Sequence, residues 1–423
     1  MKYTKKDLGS FGIHFIKTDK FKTITTKIVF HTPIKKELIT KRNVLTDILL
    51  QSSKKYESRR DLTIKAEDLY AADVTTNNQR LGNYIFTSFN IQVLNDKYTE
   101  ENNFEKSIEF LSEIILNPDI INNKFKEEKL SIVKNNAKIA LDSIKEDATN
   151  YSLIRMTEAY DKESPVSYRM TGYLEDLDNI TIENLVDCYK SMIDDDFVDI
   201  FIVGDIDEKK TLEIFKKYFK FKKIKKKKSP YQLEEKVPRK RKLIAKETID
   251  NTQSKLAIAC PYVKMTDYEK SYPLVLANLI FGGGTDSKLF KEVREKNSLC
   301  YTIHSSSNKL DNLMIIRAGI DKKNYDKTLD LVIRILQDMK KGKFDKTDID
   351  IAKQFYNTTL DTIEESEYQI INEYLFEEVL GIDPIKVRRE KMAKVKKQEI
   401  VKAIKKISID TVFLLEGVKH GED

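Results

Sequence analysis

The chain has 423 residues, of which 40% are hydrophobic and 34% are charged. This composition is typical of a folded globular protein and excludes an intrinsically disordered chain, and the length favours two to four domains. No apolar stretch approaches the roughly 18 residues of a membrane-spanning helix, and Met1–Lys20 lacks the apolar core of a signal peptide. Because the three cysteines are widely spaced and odd in number, we predict no disulfide framework and a cytoplasmic location.

The net charge of +7 is concentrated in one segment. Residues 216–242 contain fourteen lysines and arginines but only two acids, Glu234 and Glu235, and they include the run Lys225–Lys228. Like charges repel one another and prolines interrupt regular structure, so this pattern predicts an exposed linker. The alternative is a nucleic-acid contact, but no aromatic platform or recognised binding module accompanies the lysines. We therefore expect neither nucleic acid nor a membrane among the partners.

The hydrophobic pattern of the first half predicts six elements in chain order. Strands are predicted where apolar residues alternate, and helices where they recur at a spacing of three to four. The predicted elements are a strand at Thr23–His31, a helix at Thr40–Leu50, a strand at Asn83–Val93, a helix at Phe104–Ile115, a second long helix containing Leu141–Glu146, and a strand at Val198–Val203.

The second half repeats the order of the first. Its predicted elements are a strand at Thr252–Ala259, a helix at Tyr268–Phe281, a strand at Asp311–Ile320, a helix at Leu329–Met339, a second long helix containing Leu360–Glu365, and a strand at Thr411–Leu415. The repeat predicts an α+β fold of two homologous halves, each a mainly antiparallel sheet with helices packed on one face. The predicted domains are residues 1–220 and 243–423, joined by the basic linker 221–242.

The most specific segment of the sequence runs from Gly282 to Tyr301. It begins with three glycines, Gly282–Gly284, which follow an apolar helix. Glycine backbone can adopt positive φ and can approach another chain closely, so these residues are candidates for substrate contact. A phosphate-binding loop is excluded, because the spacing GxxxxGK[ST] is absent.

The remainder of that segment is predicted to form a helix and a strand. The helix begins near Ser287 and ends near Arg294, and its predicted inward-facing residues are Leu289, Phe290 and Val293. The strand runs from Tyr301 to His304. The alternative to a binding site is a helix cap with a buried tyrosine and a solvent-facing arginine.

The order Gly-Gly-Gly, Ser-x-Leu-Phe, Val-Arg-Glu-Lys, leucine and tyrosine resembles the C-terminal half of the insulinase (pitrilysin) family of zinc peptidases. More narrowly, the chain is similar to the processing-peptidase branch, whose subunits have about this length and work in pairs. The resemblance assigns substrate binding and oxyanion stabilisation to Arg294 and Tyr301, and it gives Gly282, Gly283 and Gly284 a place at the substrate. A guanidinium and a phenol are fixed donors that bind a carbonyl more strongly as it becomes anionic.

The zinc motif of that family is missing. Active members carry H-x-x-E-H on the first helix of the N-terminal half, where two histidines bind zinc and the glutamate activates the bound water. Alignment with the family places Asn43, Thr46 and Asp47 at those three positions, and the expected third ligand, a glutamate, is absent between Lys129 and Lys145. No H-x-x-E-H is formed by the four histidines, His14, His31, His304 and His420. We therefore expect this chain to bind no zinc.

The resemblance implies a catalytically inactive, substrate-binding subunit of a heterodimeric zinc metallopeptidase, of the kind found in Gram-positive bacteria. Its expected partners are a homologous subunit that carries the zinc motif and the zinc, and a peptide that binds as an added strand on an exposed sheet edge. The alternative is a stand-alone peptide-binding or scaffold protein, associated with peptide or translation-factor maturation, without peptidase activity. A stand-alone enzyme is disfavoured, because the metal ligands are missing.

Overall fold

A computed structural model describes residues 1–100, 102–224 and 228–418. Its strands are β1 (Lys2–Asp7), β2 (Gly12–Lys17), β3 (Thr23–Pro33), β4 (Asp73–Leu81), β5 (Tyr84–Leu94), β6 (Ile120–Ile121), β7 (Lys124–Phe125), β8 (Phe197–Gly204), β9 (Leu243–Ile249), β10 (Ser254–Pro261), β11 (Cys300–Asn308), β12 (Leu313–Ile320) and β13 (Thr411–Gly417).

The α-helices are α1 (Lys36–Leu49), α2 (Arg59–Asp68), α3 (Asn103–Leu116), α4 (Glu127–Asp142), α5 (Ala148–Asp161), α6 (Leu174–Leu177), α7 (Ile182–Asp195), α8 (Glu208–Tyr218), α9 (Asp267–Ser271), α10 (Pro273–Phe281), α11 (Tyr325–Lys340), α12 (Lys346–Thr362), α13 (Glu367–Leu380), α14 (Ile385–Lys394) and α15 (Lys397–Lys405). A π-helix, Phe290–Lys296, precedes β11. Within the described ranges, no helix combines the length and the apolar character needed to cross a membrane.

The chain forms two compact units that do not coincide with the predicted halves. Unit 1 consists of Met1–Asp142, Arg169–Ser229 and Ile363–Ile382, and unit 2 consists of Ser143–Tyr168, Pro230–Thr362 and the residues from Asp383 onward. Each unit therefore contains one segment from the other half of the sequence. The boundary between Ser229 and Pro230 falls inside the predicted linker 221–242.

Unit 1 is built on a six-stranded sheet in the order β1-β2-β8-β3-β5-β4. Neighbouring strands are antiparallel except for β2 and β8, which are parallel. The central strands place Ile28, Phe89 and Ile200 side by side and fully buried. This apolar face packs against α1, α3 and α7, because burial removes the apolar side chains of both layers from water.

The second face of the unit 1 sheet is polar and is covered by α13. The Lys27 ammonium donates to Oδ1 of Asn372 at 2.8 Å, and Nε2 of Gln92 donates to Oε2 of Glu367 at 2.7 Å. Burial lowers the pKa of Lys27 to about 8 and raises the pKa of Glu367. Polar groups on a covered face need such partners, since an unpaired one loses its hydration without compensation.

Two histidines meet one carboxylate on the same face. Nε2 of His14 and Nε2 of His31 lie 3.2 and 3.0 Å from the two oxygens of Asp199. Burial opposes ionisation of Asp199, but hydrogen bonds from the two imidazoles hold its pKa below the usual range. Burial lowers the pKa of His31 despite the opposing effect of Asp199. Gly12 leaves room for this contact, since a Cβ there would lie 2.5 Å from Oδ1 of Asp199.

Unit 2 is built on a five-stranded sheet in the order β11-β12-β10-β13-β9, in which only the β13–β9 pair is parallel among the described strands. One face forms a large apolar core with α10, α11 and α15. The second face is also apolar and is covered by α5, where Met156 and Tyr160 pack in one cluster with Ala257 and Phe413. The prediction of an α+β fold with two mainly antiparallel sheets is confirmed. The prediction that helices pack on one face of each sheet needs correction, because α13 and α5 cover the second faces.

The matching hexapeptides of the two halves mark the points of exchange. Leu141–Glu146 lies where the chain leaves α4 for α5, and Leu360–Glu365 lies where it leaves α12 for α13. The unit boundaries fall inside both hexapeptides. The predicted halves differ from the compact units because each sheet is covered on its second face by the helix that follows this turn in the other half.

One further expectation needs correction. The predicted helix Tyr268–Phe281 is divided into α9 and α10 at Tyr272, because Pro273 has no N–H to continue the first helix. The described residues of the predicted linker 221–242 lack regular structure and are mostly exposed or half-buried. The linker is nevertheless anchored at three points: Phe221 is buried, Leu233 N donates to Leu310 O at 2.8 Å, and Arg239 forms an ion pair with Asp410. The high lysine content of this segment gave no indication of these anchoring contacts. Lys225, Lys226 and Lys227 lie outside the described residues.

The glycine turn Gly282–Gly284 connects α10 to the π-helix, and its residues do not adopt the positive φ that the sequence suggested. Glycine is required there by close packing within the chain. A Cβ on Gly282 would lie 2.6 Å from Oγ of Ser305, and one on Gly283 would lie 2.9 Å from Cα of Leu279. A Cβ on Gly284 would make an ordinary contact, 3.8 Å from the ring of Phe355.

The contact of His31 with Asp199 predicts a pH-dependent stability. His31 has a lowered pKa in the folded chain, so the unfolded chain protonates its imidazole at a higher pH than the folded chain does. The protein therefore becomes less stable as the pH falls. The loss of stability should occur as the pH falls through the ordinary histidine pKa of about 6.5, where His31 of the unfolded chain takes up its proton. His31→Gln should weaken this pH dependence in urea titrations made between about pH 7.5 and about pH 5.5. An unchanged pH dependence would contradict the assignment.

The glycine turn predicts different costs for two neighbouring substitutions. Gly282→Ala should destabilise the protein by about 1–3 kcal/mol, because the added methyl overpacks against Ser305 and Leu289. Gly284→Ala is the matched control and should change stability by less than about 0.5 kcal/mol, as for an unstrained surface site. Thermal and urea unfolding measure both. Equal effects of the two substitutions would refute the packing explanation.

Candidate functional site

Arg294 lies near the end of the π-helix and is exposed to solvent. Its guanidinium carbon lies 4.7 Å above the centre of the Phe290 ring, a cation–π contact that holds the side chain against the helix. Phe290 is only half-buried, whereas the sequence predicted that its side chain would face inward. π-Helices are rare, and many of those that do occur are found at functional sites.

Tyr301 lies at an irregularity in β11. The register of β11 against β12 shifts between Cys300 and Thr302, so Tyr301 has no partner residue on β12. A bulge of this kind redirects a side chain, and Tyr301 is 57% exposed. The alternative of a buried tyrosine is therefore wrong. Within the described part of the chain, neither the Arg294 guanidinium nor the Tyr301 hydroxyl has a hydrogen-bond or ion-pair partner.

The segment that carries Arg294 and Tyr301 is anchored by buried side chains. Leu289 and Val293 are fully buried, as predicted. After the π-helix, the backbone turns through Ser298, whose φ of 50° is unusual for a residue other than glycine. Burial raises the pKa of the Cys300 thiol to about 11, so this cysteine is inert beside the exposed tyrosine. The two donors thus project from a rigid base.

The positions aligned with the zinc motif lie on α1, and two of the three are occupied by hydrogen bonds within unit 1. Nδ2 of Asn43 donates to the carbonyl of Met170 at 2.8 Å. The Thr46 hydroxyl accepts from Nδ2 of Asn78 at 3.0 Å. Asp47 is exposed on the same helix. Amide and hydroxyl groups that are committed to protein partners do not provide imidazole nitrogen or a catalytic carboxylate.

A buried ion pair further fixes α1. Nη2 of Arg42 lies 2.6 Å from Oδ2 of Asp196, with both side chains almost fully buried. Two residues before Arg42, the Thr40 hydroxyl donates to Oδ2 of Asp176 at 2.7 Å. No group of three potential ligands able to hold a metal occurs in residues 1–100, 102–224 and 228–418. The residues at the family's zinc position therefore do not fit zinc.

The contact of His14 and His31 with Asp199 was missed by sequence reasoning. The sequence showed no two histidines at metal-ligand spacing, because these residues lie on separate strands. His304 instead contacts Nη2 of Arg317 at 2.7 Å across β11 and β12, and His420 lies outside the described residues. A signal for the first contact was the aspartate within the apolar run of β8, which needs partners when it is buried.

Known proteins resemble this chain at several levels. Residues 179–356 match the family model described as "Peptidase M16 inactive domain". The chain is 29% identical to the "Probable inactive metalloprotease YmfF" of Bacillus subtilis (strain 168). The alignment covers 98% of this chain and 98% of that protein. A solved structure of a conserved protein from Enterococcus faecalis V583 is 26% identical, with a TM-score of 0.91 over 99% of this chain and 100% of that chain.

A more distant structure has the same fold. The peptidase M16 inactive domain from Pseudomonas fluorescens is 16% identical, with a TM-score of 0.80 over 100% of this chain and 99% of that chain. Its identity is low enough that it supports the fold alone. The sequence carries no H-x-x-E-H, and the matched B. subtilis protein is itself described as probably inactive. Residues 179–356 are therefore similar to the inactive domain of the peptidase M16 family, and the whole chain is similar to a protein described as a probable inactive metalloprotease.

Proposed function

We propose that this chain is the substrate-binding subunit of a two-subunit zinc peptidase, in which a homologous partner carries the zinc. The observation that carries the proposal is a contrast between two sites. Two of the three positions aligned with the zinc motif, Asn43 and Thr46, are committed to internal hydrogen bonds, whereas Arg294 and Tyr301 are exposed without polar partners in the described part of the chain. Two donors kept free on a rigid base are suited to a ligand that the chain itself does not contain.

The chemistry of the two donors fits a peptide carbonyl. A guanidinium stays charged at every physiological pH and offers several N–H groups in a fixed plane. A phenol adds one O–H donor. Both bind an oxygen more strongly as negative charge develops on it, so they contribute to catalysis only beside a group that attacks the carbonyl. In this proposal, the zinc site of the partner supplies that group.

An open sheet edge supports peptide binding by unit 1. The strand β4, Asp73–Leu81, is nine residues long and lies at the edge of its sheet. An edge strand has unpaired backbone donors and acceptors on its outer side, and an extended peptide satisfies them as an added strand. Such binding uses the backbone of the peptide and demands little of its side chains. On β11, by contrast, the N–H of Ser305 already donates to Gly282 O at 2.7 Å.

The experiment is co-expression with a homologue that carries H-x-x-E-H. We expect a stable heterodimer that cleaves peptides and contains zinc, while the free chain contains none. Arg294→Ala should lower kcat about 100-fold, as expected for loss of one oxyanion donor, and Tyr301→Phe should lower kcat with little change in KM. Zinc content and assembly should not change in either variant.

A control on the same π-helix separates this role from a general charge effect. Lys296 is 70% exposed and contacts only Glu292 at 3.4 Å among the described residues, so Lys296→Ala should leave kcat unchanged. Failure of the chains to assemble, or normal proteolysis by the Arg294→Ala complex, would refute the proposal. Peptide binding by the free chain without any complex would instead favour a stand-alone peptide-binding or scaffold protein.

A further inference from the structure

A cleft of about 320 Å³ lies beside the glycine turn in unit 2. Its walls are α10, residues 283–287 and α12. The volume is near the lower end of the roughly 300–1,000 Å³ of ligand pockets, which suits one large side chain and its backbone rather than a folded element. The apolar part of the lining consists of Leu279, Ile280, Ile351, Ala352 and Phe355.

Phe355 is the exposed centre of this lining. Its side chain is 50% exposed, although it lies in the middle of α12 and next to a buried residue of the same cleft, Ile280. Ile351 precedes it by one helical turn and shares its face. Covering a half-exposed aromatic ring with an apolar ligand group is favourable, because it removes further apolar surface from water.

The charged residues that line the cleft are acidic. Asp286 and Asp348 line the cleft, and no cationic side chain of the described residues does so, in a chain with 75 lysines and arginines. Asp286 is exposed and lies 3.2 Å from the exposed Lys291, while Asp348 lies 2.7 Å from Lys288. Exposed ion pairs contribute little, so a cation of a ligand can replace Lys291 at Asp286.

The glycine turn also presents free backbone donors. The N–H groups of Gly284, Thr285 and Asp286 make no hydrogen bond with any described residue, whereas the N–H of Gly283 donates to Asn278 O at 2.9 Å. Three consecutive free N–H groups beside an apolar floor are suited to the carbonyl oxygens of a peptide. A simple apolar molecule would leave these donors unused.

We infer that this cleft is a subsite for a peptide segment in which a bulky apolar side chain is next to a lysine or arginine. The apolar side chain packs on Phe355, the cation pairs with Asp286, and the peptide carbonyls accept from the amides of residues 284–286. The inference rests on the proposed function, since it specifies which peptide the chain selects. It gives the bound peptide a side-chain preference.

Methyl NMR of the full chain, labelled at isoleucine, leucine and valine, tests this subsite with blocked dipeptides. The probes are N-acetyl-Phe-Lys-amide, N-acetyl-Gly-Lys-amide and N-acetyl-Phe-Glu-amide. We expect the first to shift the methyl signals of Leu279, Ile280 and Ile351 saturably. The second and third should bind about tenfold more weakly, since one lacks the apolar side chain and the other reverses the charge. Equal binding of all three, or no saturable shift at these methyls, would overturn the inference.

Two variants and a matched control identify the groups involved. Phe355→Ala should weaken N-acetyl-Phe-Lys-amide about tenfold, and Asp286→Asn should abolish the preference for lysine over glutamate. Ile139→Ala is the control: Ile139 is 61% exposed on α4, outside the cleft, and its loss should not affect binding. Unperturbed methyl spectra elsewhere establish folding. Unchanged binding in Phe355→Ala would refute the subsite.

These outcomes are independent of the test of the heterodimer, because the dipeptides are measured on the free chain. Dipeptide binding at the cleft, combined with normal proteolysis by the Arg294→Ala complex, would refute the proposed function and leave the subsite in place. Failure of the dipeptides, combined with loss of proteolysis in Arg294→Ala, would refute the subsite alone.

Discussion

Each sheet of this protein is covered on its second face by a helix from the other half of the sequence. The sheet of unit 1 presents Lys27 and Gln92 on that face, and α13 supplies Asn372 and Glu367 to pair with them. The sheet of unit 2 presents an apolar face, and α5 covers it with apolar side chains. The two helices are therefore not interchangeable. Neither half of the sequence contains all the groups that its own sheet needs.

The fold treats its two sets of polar groups in opposite ways. On α1, Asn43, Thr46 and the neighbouring Arg42 are bound by other parts of unit 1, so these side chains have structural partners. At the start of β11, the π-helix and the bulge hold Arg294 and Tyr301 away from the core. Exposing these two donors costs little, because water satisfies their hydrogen bonds.

The central elements were predictable because their side chains are buried on a regular pattern. The strands around Ile28, Phe89 and Ile258, and the amphipathic helices α3 and α11, show the expected spacing of apolar residues. The edge strands β1 and β4 are largely polar and gave no such signal. The exchange of α5 and α13 has no local signature, since the sheet that each helix covers is formed mainly by residues far away in the sequence. For the candidate site, the family resemblance singled out Arg294 and Tyr301, but the exposure of Tyr301 depends on an irregularity in strand register that no motif encodes.

The exchanged helix α13 is translated well after the sheet that it covers. Protein synthesis proceeds from the N-terminus, so the sheet of unit 1 is complete in sequence once β8 has emerged, whereas the helix that covers it ends only at Leu380. At about 5–20 residues per second, the roughly 180 residues between Gly204 and Leu380 take on the order of ten seconds or more to translate. Until then, Lys27 and Gln92 lack the partners that α13 supplies. A polar second face is compatible with this wait, because it stays hydrated and offers little surface for aggregation on the ribosome.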